Sequence, residues 1–324
     1  MAIHDSSLIL LLAAMEDYAI GDPRNWLHPV QIMGWIIDRY SKLSIKYLPV
    51  GCWRRLAGII LGLSLIIGSG TAGWLAVKIS QIINPLLGIG TEIVLLASCF
   101  AGKSLRVAVK DVVDVINKGD LESARSRLSL YVGRDTENLS QSEILRALLE
   151  TVGENAIDGV MAPLFYAILG SFISGVGSLP LALAYKAAST LDSMVGYLRE
   201  PYADLGWFSA QFEDLLTWFP CRLSVLTISL FSGEPRQVLA ICRRDGVKDP
   251  SPNSGWSEAV YAAVLRVRLG GKNTYRGVVK EKPYLGNPLE PISVDKLDRA
   301  LNLTRYCFLI WLGTALILKT FLIS

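Results

Sequence analysis

One uncharged run constrains the fold of this chain more than any other feature. Residues 56–77, LAGIILGLSLIIGSGTAGWLAV, contain no ionisable side chain and lie between two arginines and Lys78. An α-helix rises about 1.5 Å per residue, so a run of this length crosses the roughly 30 Å hydrocarbon core of a bilayer. The sequence therefore predicts a helix that spans a membrane.

The composition favours an integral membrane protein with large polar loops. Of the 324 residues, 51% are hydrophobic and 19% are charged, and the mean hydropathy is +0.38. These values are too apolar for an ordinary soluble enzyme and too charged for a bundle of spans alone. The net charge of +3 is small and dispersed, so we expect no nucleic-acid partner. The five widely spaced cysteines contain no C-x-x-C pair, so we expect neither a disulfide framework nor a structural zinc site.

Other apolar runs are predicted to enter the membrane as well. Complete spans are expected near residues 3–20, 56–77, 86–102 and 306–322. Residues 160–185 carry no charge but contain Pro163, Pro180 and three glycines, and Pro220 divides residues 205–233. Both of these segments are predicted to be broken or re-entrant, because proline interrupts a helix.

Three polar stretches separate the apolar runs, and each carries several lysines and arginines. They comprise residues 21–55, 103–159 and 234–304. The positive-inside rule places such stretches in the cytoplasm. The predicted fold is all-α: a polytopic integral membrane helical bundle with broken or re-entrant segments and cytoplasmic helical loops. It forms one domain over residues 1–324 with four to six crossings, in the cytoplasmic membrane, and its site faces the cytoplasm.

A helix start is marked in the second polar stretch. Ser140 and Glu143 form the pattern of a capping box, and apolar residues then recur with helical period, so a helix is predicted over 141–158. Three carboxylates on its polar face are spaced four residues apart: Glu150, Glu154 and Asp158. Like charges at this spacing repel by a few tenths of a kcal/mol, and a solvated face is the simplest interpretation.

A metal site is the second interpretation of this acidic stripe. The stripe leads directly into uncharged sequence, and a hard divalent cation would remove the repulsion by binding the carboxylate oxygens. We therefore predict an Mg²⁺ site whose ligands are Glu150, Glu154, Asn155 and Asp158.

A second candidate site lies in residues 249–271, where a Ser/Pro/Asn/Gly turn precedes a helix predicted to be capped near Ser257. Free N–H groups at a helix start bind phosphate, although many turns of this composition look alike. Gly102-Lys103-Ser104 resembles the end of a P-loop, but Ala97 stands where the first glycine is required, so we reject that site.

Several motifs, taken in order along the chain, resemble the CobD/CbiB family of cobalamin-biosynthesis proteins. The motifs are Gly21-Asp22-Pro23, His28-Pro29-Val30, Gly133-Arg134-Asp135, Glu154-Asn155, Asp158-Gly159, Thr190 to Tyr197, Gly206-Trp207, Ser251 to Trp256 and Leu269-Gly270-Gly271. The chain departs from the family pattern at Ser189, Ala156, Thr217 and Asp249, where Asn, Thr, Asn and His are expected.

The resemblance implies a membrane enzyme, adenosylcobinamide-phosphate synthase. Such an enzyme joins a carboxyl side chain of the corrinoid adenosylcobyric acid to aminopropanol or its phosphate ester. It is thought to consume ATP with Mg²⁺, most simply through an acyl phosphate. The lipid bilayer, other enzymes of the pathway and a second copy of the chain are further partners to consider, and the sequence leaves the amino-alcohol and the oligomeric state open.

The implied chemistry assigns roles to the remaining polar residues. The predicted catalytic residues, including a proton acceptor for the amine and further acidic groups, are His28, Asp22, Lys186, Asp192 and Asp214. The predicted phosphate-binding residues are Arg134, Arg222, Ser251, Asn253, Ser254 and Gly255.

Two other functions are compatible with the sequence. A membrane carrier for a corrinoid or an ion could employ the carboxylates, since broken segments with polar residues also build transporter sites. However, the chain shows no pair of inverted halves. A membrane anchor that gathers soluble enzymes is the third interpretation.

Overall fold

The computed structural model describes residues 6–21, 28–197 and 199–323. The α-helices of these residues are α1 (Ser6–Ala19), α2 (Pro29–Tyr47), α3 (Cys52–Ile83), α4 (Pro85–Ala97), α5 (Gly102–Ile116), α6 (Leu121–Leu128), α7 (Gln141–Asn155), α8 (Ala162–Ser171), α9 (Ser178–Val195), α10 (Trp207–Leu230), α11 (Pro235–Asp245), α12 (Ser254–Leu265) and α13 (Val294–Ile323). A π-helical segment (Ala156–Met161), a 3₁₀ turn (Gly246–Lys248) and two strands, β1 (Leu269–Tyr275) and β2 (Val278–Leu285), complete the elements. The predicted all-α class is confirmed, with one small hairpin in addition.

The chain divides into two compact units. Unit 1 comprises Met1–Lys103, Ala162–Thr217 and Ile310–Ser324, and unit 2 comprises Ser104–Met161 and Trp218–Leu309. Helices α10 and α13 contribute residues to both. The prediction that the whole chain acts as one domain stays a prediction.

Unit 1 is built around α3, which packs against α9, α4 and α2, while α8 packs on α9 and α1 on α4. Glycines on α3 permit this close packing. A Cβ at Gly58 would collide with the carbonyl oxygen of Leu205, and one at Gly70 would lie 3.0 Å from the carbonyl oxygen of Pro180. Small residues serve this purpose in membrane helices, because they let backbones approach closely.

In the described part of the chain, two helices are long and apolar enough to cross a membrane: Cys52–Ile83, with 32 residues, and Val294–Leu322, with 29. They contain the spans predicted at 56–77 and 306–322. Helices α4 and α5, bent by 41° at their junction, would together make a third span, and they contain the run 86–102. The helix in the described part of the span predicted at 3–20 is too short to cross a membrane, since α1 has 14 residues and is only about 21 Å long.

Of the two segments predicted to be broken, one is broken and one is not. Residues 160–185 divide into the π-helical segment, α8 and α9, with a turn before Ser178. The prediction for 205–233 is wrong, because α10 runs through Pro220 without interruption. Pro220 has no N–H to donate to the carbonyl four residues earlier, which is that of Leu216. The Tyr166 hydroxyl donates to this carbonyl instead, at 2.9 Å.

Unit 2 is centred on α12, which packs against α7, α11 and both strands. The antiparallel hairpin of β1 and β2 was not predicted, although its turn carries a recognisable signal. Arg276 and Gly277 both have positive φ, of 52° and 78°, as the type I′ turn of a two-residue hairpin requires. The Asp135 carboxylate accepts hydrogen bonds of 2.8 Å from both of their N–H groups, so it fixes the tip of the hairpin.

We predict that Tyr166→Phe lowers the free energy of unfolding by about 1 kcal/mol, because the Leu216 carbonyl loses its donor. Thermal unfolding of the detergent-purified protein measures this loss. Pro220→Ala restores the missing N–H, so the same Tyr166→Phe change should cost less in that background. Equal losses in both backgrounds would contradict the role given to Tyr166.

Candidate functional site

Glu150 lies at the centre of the polar part of unit 2. Its carboxylate forms ion pairs with Arg134 and with Arg146, the latter at 3.2 Å. It also accepts the N–H of Gly270 at 2.9 Å, and its side chain is 2% exposed. A buried carboxylate with two guanidinium partners and a backbone donor is fully compensated.

The same two arginines bind the hairpin. Arg134 donates to Asn273 Oδ1 at 2.9 Å, and Arg146 donates to that atom at 3.1 Å and to the carbonyl of Lys272 at 3.1 Å. The predicted phosphate-binding role of Arg134 is therefore not what its contacts show. It fastens β1 to α7 together with Glu150.

The predicted four-residue Mg²⁺ site does not fit these contacts. Glu150 would have to leave two arginines in order to bind a cation. Among the described residues, no group of three His, Cys, Asp or Glu side chains is arranged to hold a metal ion. Glu154 and Asn155 are exposed, Asp158 is half-buried, and Asn155 Nδ2 donates to the carbonyl of Thr151 at 2.9 Å. A cation bound by these three residues stays a prediction, without Glu150.

The acidic stripe also changes geometry at its end. The capping box at Ser140 and Glu143 is confirmed, with Ser140 N–H to Glu143 Oε2 at 2.8 Å and Glu143 N–H to Ser140 Oγ at 3.4 Å. However, the α-helix ends at Asn155, and Asp158 lies in the π-helical segment. Short π-helical segments are frequent at functional sites, and they shift side chains from the positions that a regular α-helix would give them.

Glu258 and Lys282 form a charged pair that the sequence did not reveal. Lys282 Nζ lies 3.1 Å from Glu258 Oε1, and the two side chains are 29% and 1% exposed. Glu258 Oε2 is buried without a hydrogen-bond partner in the described part of the chain. Gly153 on α7 allows α12 to approach closely here, since a Cβ on it would lie 3.2 Å from the Cα of Glu258.

Burial and charge together set the protonation of this pair. Burial raises the pKa of Glu258 to about 8; Lys282 opposes the rise, and repulsion from Glu150 and Glu154 adds to it. Burial alone would lower the pKa of Lys282, but Glu258, Glu154 and Asp249 outweigh it and raise that pKa. Lys282 therefore stays cationic, while Glu258 titrates close to neutral pH.

The loop before α12 is held by its own side chains. The Asp249 carboxylate accepts from the Ser251 N–H at 3.0 Å and the Ser254 hydroxyl at 3.2 Å. Ser251 Oγ in turn accepts from the N–H groups of Asn253 and Ser254, at 3.3 and 3.2 Å. The N–H groups of Ser251, Asn253 and Ser254 already have acceptors within the loop, so they are not available to bind a phosphate as predicted.

Helix α12 begins at Ser254, three residues before the predicted cap at Ser257. Packing requires a glycine at position 255, because a Cβ there would collide with the carbonyl oxygen of Gly246. Arg222 closes the loop from α10: its Nη2 donates to the Pro252 carbonyl at 2.8 Å, and its guanidinium lies 4.3 Å from the centre of the Trp256 ring. Two cations, Arg222 and Lys282, thus border the first turns of α12.

The predicted catalytic residues belong to unit 1. His28 caps α2, because its Nδ1 accepts the Val30 N–H at 3.2 Å. Lys186 and Asp192 lie on α9 and Asp214 on α10, while Asp22 lies outside the described residues.

Unit 1 also contains a buried acid to which the sequence analysis gave no role. Glu213 is 7% exposed and accepts from the Tyr185 hydroxyl at 3.3 Å and from Thr217. Asp192 and Asp214 both lie within electrostatic range of it. The structure therefore gathers three acids in unit 1, two of them predicted.

Comparison with known proteins gives one consistent result. The family described as CobD/Cbib protein matches residues 10–304. The chain belongs to the CobD/CbiB family. The cobalamin biosynthesis protein CobD of Synechocystis sp. is 53% identical over 313 residues, which cover 96% of this chain and 92% of that protein. CobD of Halalkalibacterium halodurans is 39% identical over 314 residues (94% and 95%), and CbiB of Salmonella typhimurium is 38% identical over 296 residues (90% and 91%). No solved structure matches the chain.

For this CobD/CbiB protein we predict that Glu150→Gln unfolds far more easily than the wild type. Removing the negative partner leaves two buried guanidinium groups uncompensated, which costs about 3–5 kcal/mol. Glu154→Gln, on an exposed side chain of the same helix, is the matched control and should change stability by less than about 0.5 kcal/mol. Thermal unfolding of both variants measures the difference, and similar midpoints would contradict the structural role of Glu150.

Stability should also depend on pH through Glu258. Its folded-state pKa lies above the ordinary value of 4.5, so its contribution is complete below pH 4.5 and is lost as the pH rises towards about 8. Glu258→Gln cannot titrate. We therefore expect the unfolding midpoint of the wild type to fall relative to that variant between pH 5 and pH 8.5, and parallel curves would be the contrary result.

Proposed function

We propose that this protein forms an amide between a carboxyl side chain of adenosylcobyric acid and the amine of aminopropanol or its phosphate ester. Membership of the CobD/CbiB family establishes a role in cobalamin biosynthesis. ATP, carrying its own Mg²⁺ as counter-ion, is the proposed co-substrate, and adenosylcobinamide or its phosphate is the product. The positive-inside rule and the need for ATP support a cytoplasmic site in a multi-pass protein of the cytoplasmic membrane.

The observation that carries the proposal is the pair of cations at the start of α12. Arg222 is held against Pro252 and Trp256, and Lys282 is held against the buried Glu258. Each is fixed by contacts that leave part of the side chain at the surface: Arg222 is partly exposed, and Lys282 is 29% exposed. Fixed cations of this kind stabilise phosphoryl groups during transfer, because they need no reorganisation at the moment of reaction.

Activation of the acid comes first in the proposed reaction. A carboxylate oxygen of adenosylcobyric acid attacks the γ-phosphorus of ATP, the bond to ADP breaks, and an acyl phosphate forms. Arg222 and Lys282 neutralise the oxygens of the transferred phosphoryl group, and the planar fork of Arg222 suits contact with two of them.

Amide formation follows. The amine nitrogen attacks the acyl carbon, inorganic phosphate leaves, and the nitrogen loses a proton. Glu154 is the proposed acceptor of that proton, because its carboxylate is exposed and lies within electrostatic range of Lys282. Since the four-residue Mg²⁺ site does not fit, no step of this proposal uses a metal ion bound by the protein.

The test is a reaction with the purified protein in detergent. Adenosylcobyric acid, aminopropanol or its phosphate, and ATP with Mg²⁺ are mixed with the protein, and products are identified by mass. Amide product supports the enzyme, since no gradient exists in detergent. If no amide forms and proteoliposomes accumulate the corrinoid instead, the protein is a carrier.

We predict that Arg222→Lys and Lys282→Gln each lower kcat/KM by at least about tenfold, or about 1.4 kcal/mol of transition-state stabilisation. Lys280→Gln is the matched control, because Lys280 is an exposed lysine on the same strand. Wild-type turnover in both variants, with correctly folded protein, would remove these cations from the site. Glu154→Gln should lower kcat and shift the pH profile, and an unchanged profile would exclude it as the proton acceptor.

A further inference from the structure

A groove in unit 1, between α2 and α3, takes no part in the proposed reaction. Its volume is about 420 Å³. Residues between Pro29 and Ile36 of α2 form one wall, residues between Ser64 and Ala76 of α3 form another, and α4 and α9 contribute one residue each. None of the described side chains in its lining is ionisable, so the groove suits an apolar occupant.

The groove lies at the depth of the membrane. Helix α3 is long and apolar enough to cross a bilayer, and the wall from Ser64 to Ala76 lies within its uncharged run 56–77. Over that wall the helix rises about 18 Å, at about 1.5 Å per residue. The hydrocarbon core is roughly 30 Å thick, so each leaflet contributes about 15 Å. The groove is therefore as long as the acyl chain of a lipid in one leaflet.

The width of the groove favours a thin chain over a second helix. An α-helix with its side chains is about 10 Å across, so an 18 Å length of it occupies on the order of 1,400 Å³. The groove offers about 420 Å³. Gly68 of α3 leaves part of this space open, because it is exposed and a Cβ on it would meet no atom within 4 Å.

The end of α2 lies at the surface of the membrane. Residues 48–51 connect α2 to α3, and Arg54 of α3 donates to the carbonyls of Ile45 and Leu48, each at 3.0 Å. These contacts fasten the end of α2 to the start of α3. The uncharged run of α3 begins there, at Leu56, and the start of such a run marks the boundary between lipid and water.

One face of α2 leads from the groove to this boundary. Ile32, Ile36, Arg39, Leu43 and Lys46 recur at a spacing of three or four residues, so they share that face, and all five are exposed. Arg39 forms no hydrogen bond or ion pair with another described residue. The face is thus apolar beside the groove and cationic towards the boundary, and an anionic phospholipid has the complementary order of chain and head group.

We propose that the groove binds one acyl chain of an anionic phospholipid whose phosphate lies between Arg39 and Lys46. The long side chains of arginine and lysine extend along apolar surface and place their charge at the interface. Lys46 Nζ lies 4.9 Å from the centre of the Tyr47 ring, and tyrosine is enriched at this level of the membrane. Basic side chains beside a bilayer attract anionic head groups. The site is independent of the proposed amide ligation, so its tests measure lipid binding.

The first test fills the groove. Full-length protein is reconstituted in nanodiscs with equal amounts of phosphatidylglycerol and phosphatidylcholine, and the lipid that it retains is read by native mass spectrometry. Gly68→Phe enters the open space, so we expect it to retain at least about fivefold less phosphatidylglycerol than the wild type. Gly90→Phe, on α4, is the matched control, because a Cβ there also meets no atom within 4 Å. Equal retention by the wild type and Gly68→Phe overturns the proposal.

The second test removes the charge. We expect the wild type to retain phosphatidylglycerol at least about fivefold more than phosphatidylcholine, and Arg39→Gln to lose this preference. Lys110→Gln, at an exposed position on α5, should keep it. A wild type without preference, or an unchanged preference in Arg39→Gln, overturns the proposal.

A third measurement needs no variant. A ligand that binds only the folded state raises the unfolding midpoint, so phosphatidylglycerol added to the delipidated wild type should raise it more than phosphatidylcholine does. Equal midpoints overturn the proposal. If the delipidated wild type is instead a dimer that Gly68→Phe separates, the groove faces a second copy of the chain and the lipid site is excluded.

Discussion

The ion pairs of Glu150 are the interaction on which the rest of unit 2 depends. One buried carboxylate binds Arg134, Arg146 and the backbone of β1, and the two arginines also bind Asn273. These contacts fix the hairpin against α7, and the hairpin carries Lys282 to its place beside Glu258. A charge that looks like a metal ligand in the sequence is therefore the anchor that positions a cation of the candidate site.

The elements that the sequence predicted well are those set by neighbouring residues. The uncharged run 56–77, the capping box at Ser140 and the break within 160–185 follow from local composition and spacing, and all three occur in the structure. The break at Pro220 does not occur, because Tyr166, distant in sequence, supplies the donor that the local rule assumes to be missing. Local patterns cannot report such tertiary compensation.

The candidate site was harder to predict for the same reason. Arg222 was identified, but Lys282 is one lysine among several on an exposed strand, and only the fold places it beside α12. Glu258 did give a signal, since it is a lone charge in the otherwise uncharged helix Ser254–Leu265. Two of the three partners of Glu150, Arg134 and Gly270, lie outside its helix, so a stripe of carboxylates on one helix could not distinguish an ion-pair anchor from a metal site.

The contacts of the hairpin also bear on the order in which unit 2 folds. Arg134 and Asp135 precede their hairpin partners Asn273 and Arg276 by 139 and 141 residues. Contacts between residues so far apart in the chain form slowly, because a long loop must close before they stabilise anything. Lys282 therefore reaches Glu258 late, after the helices on which the hairpin rests.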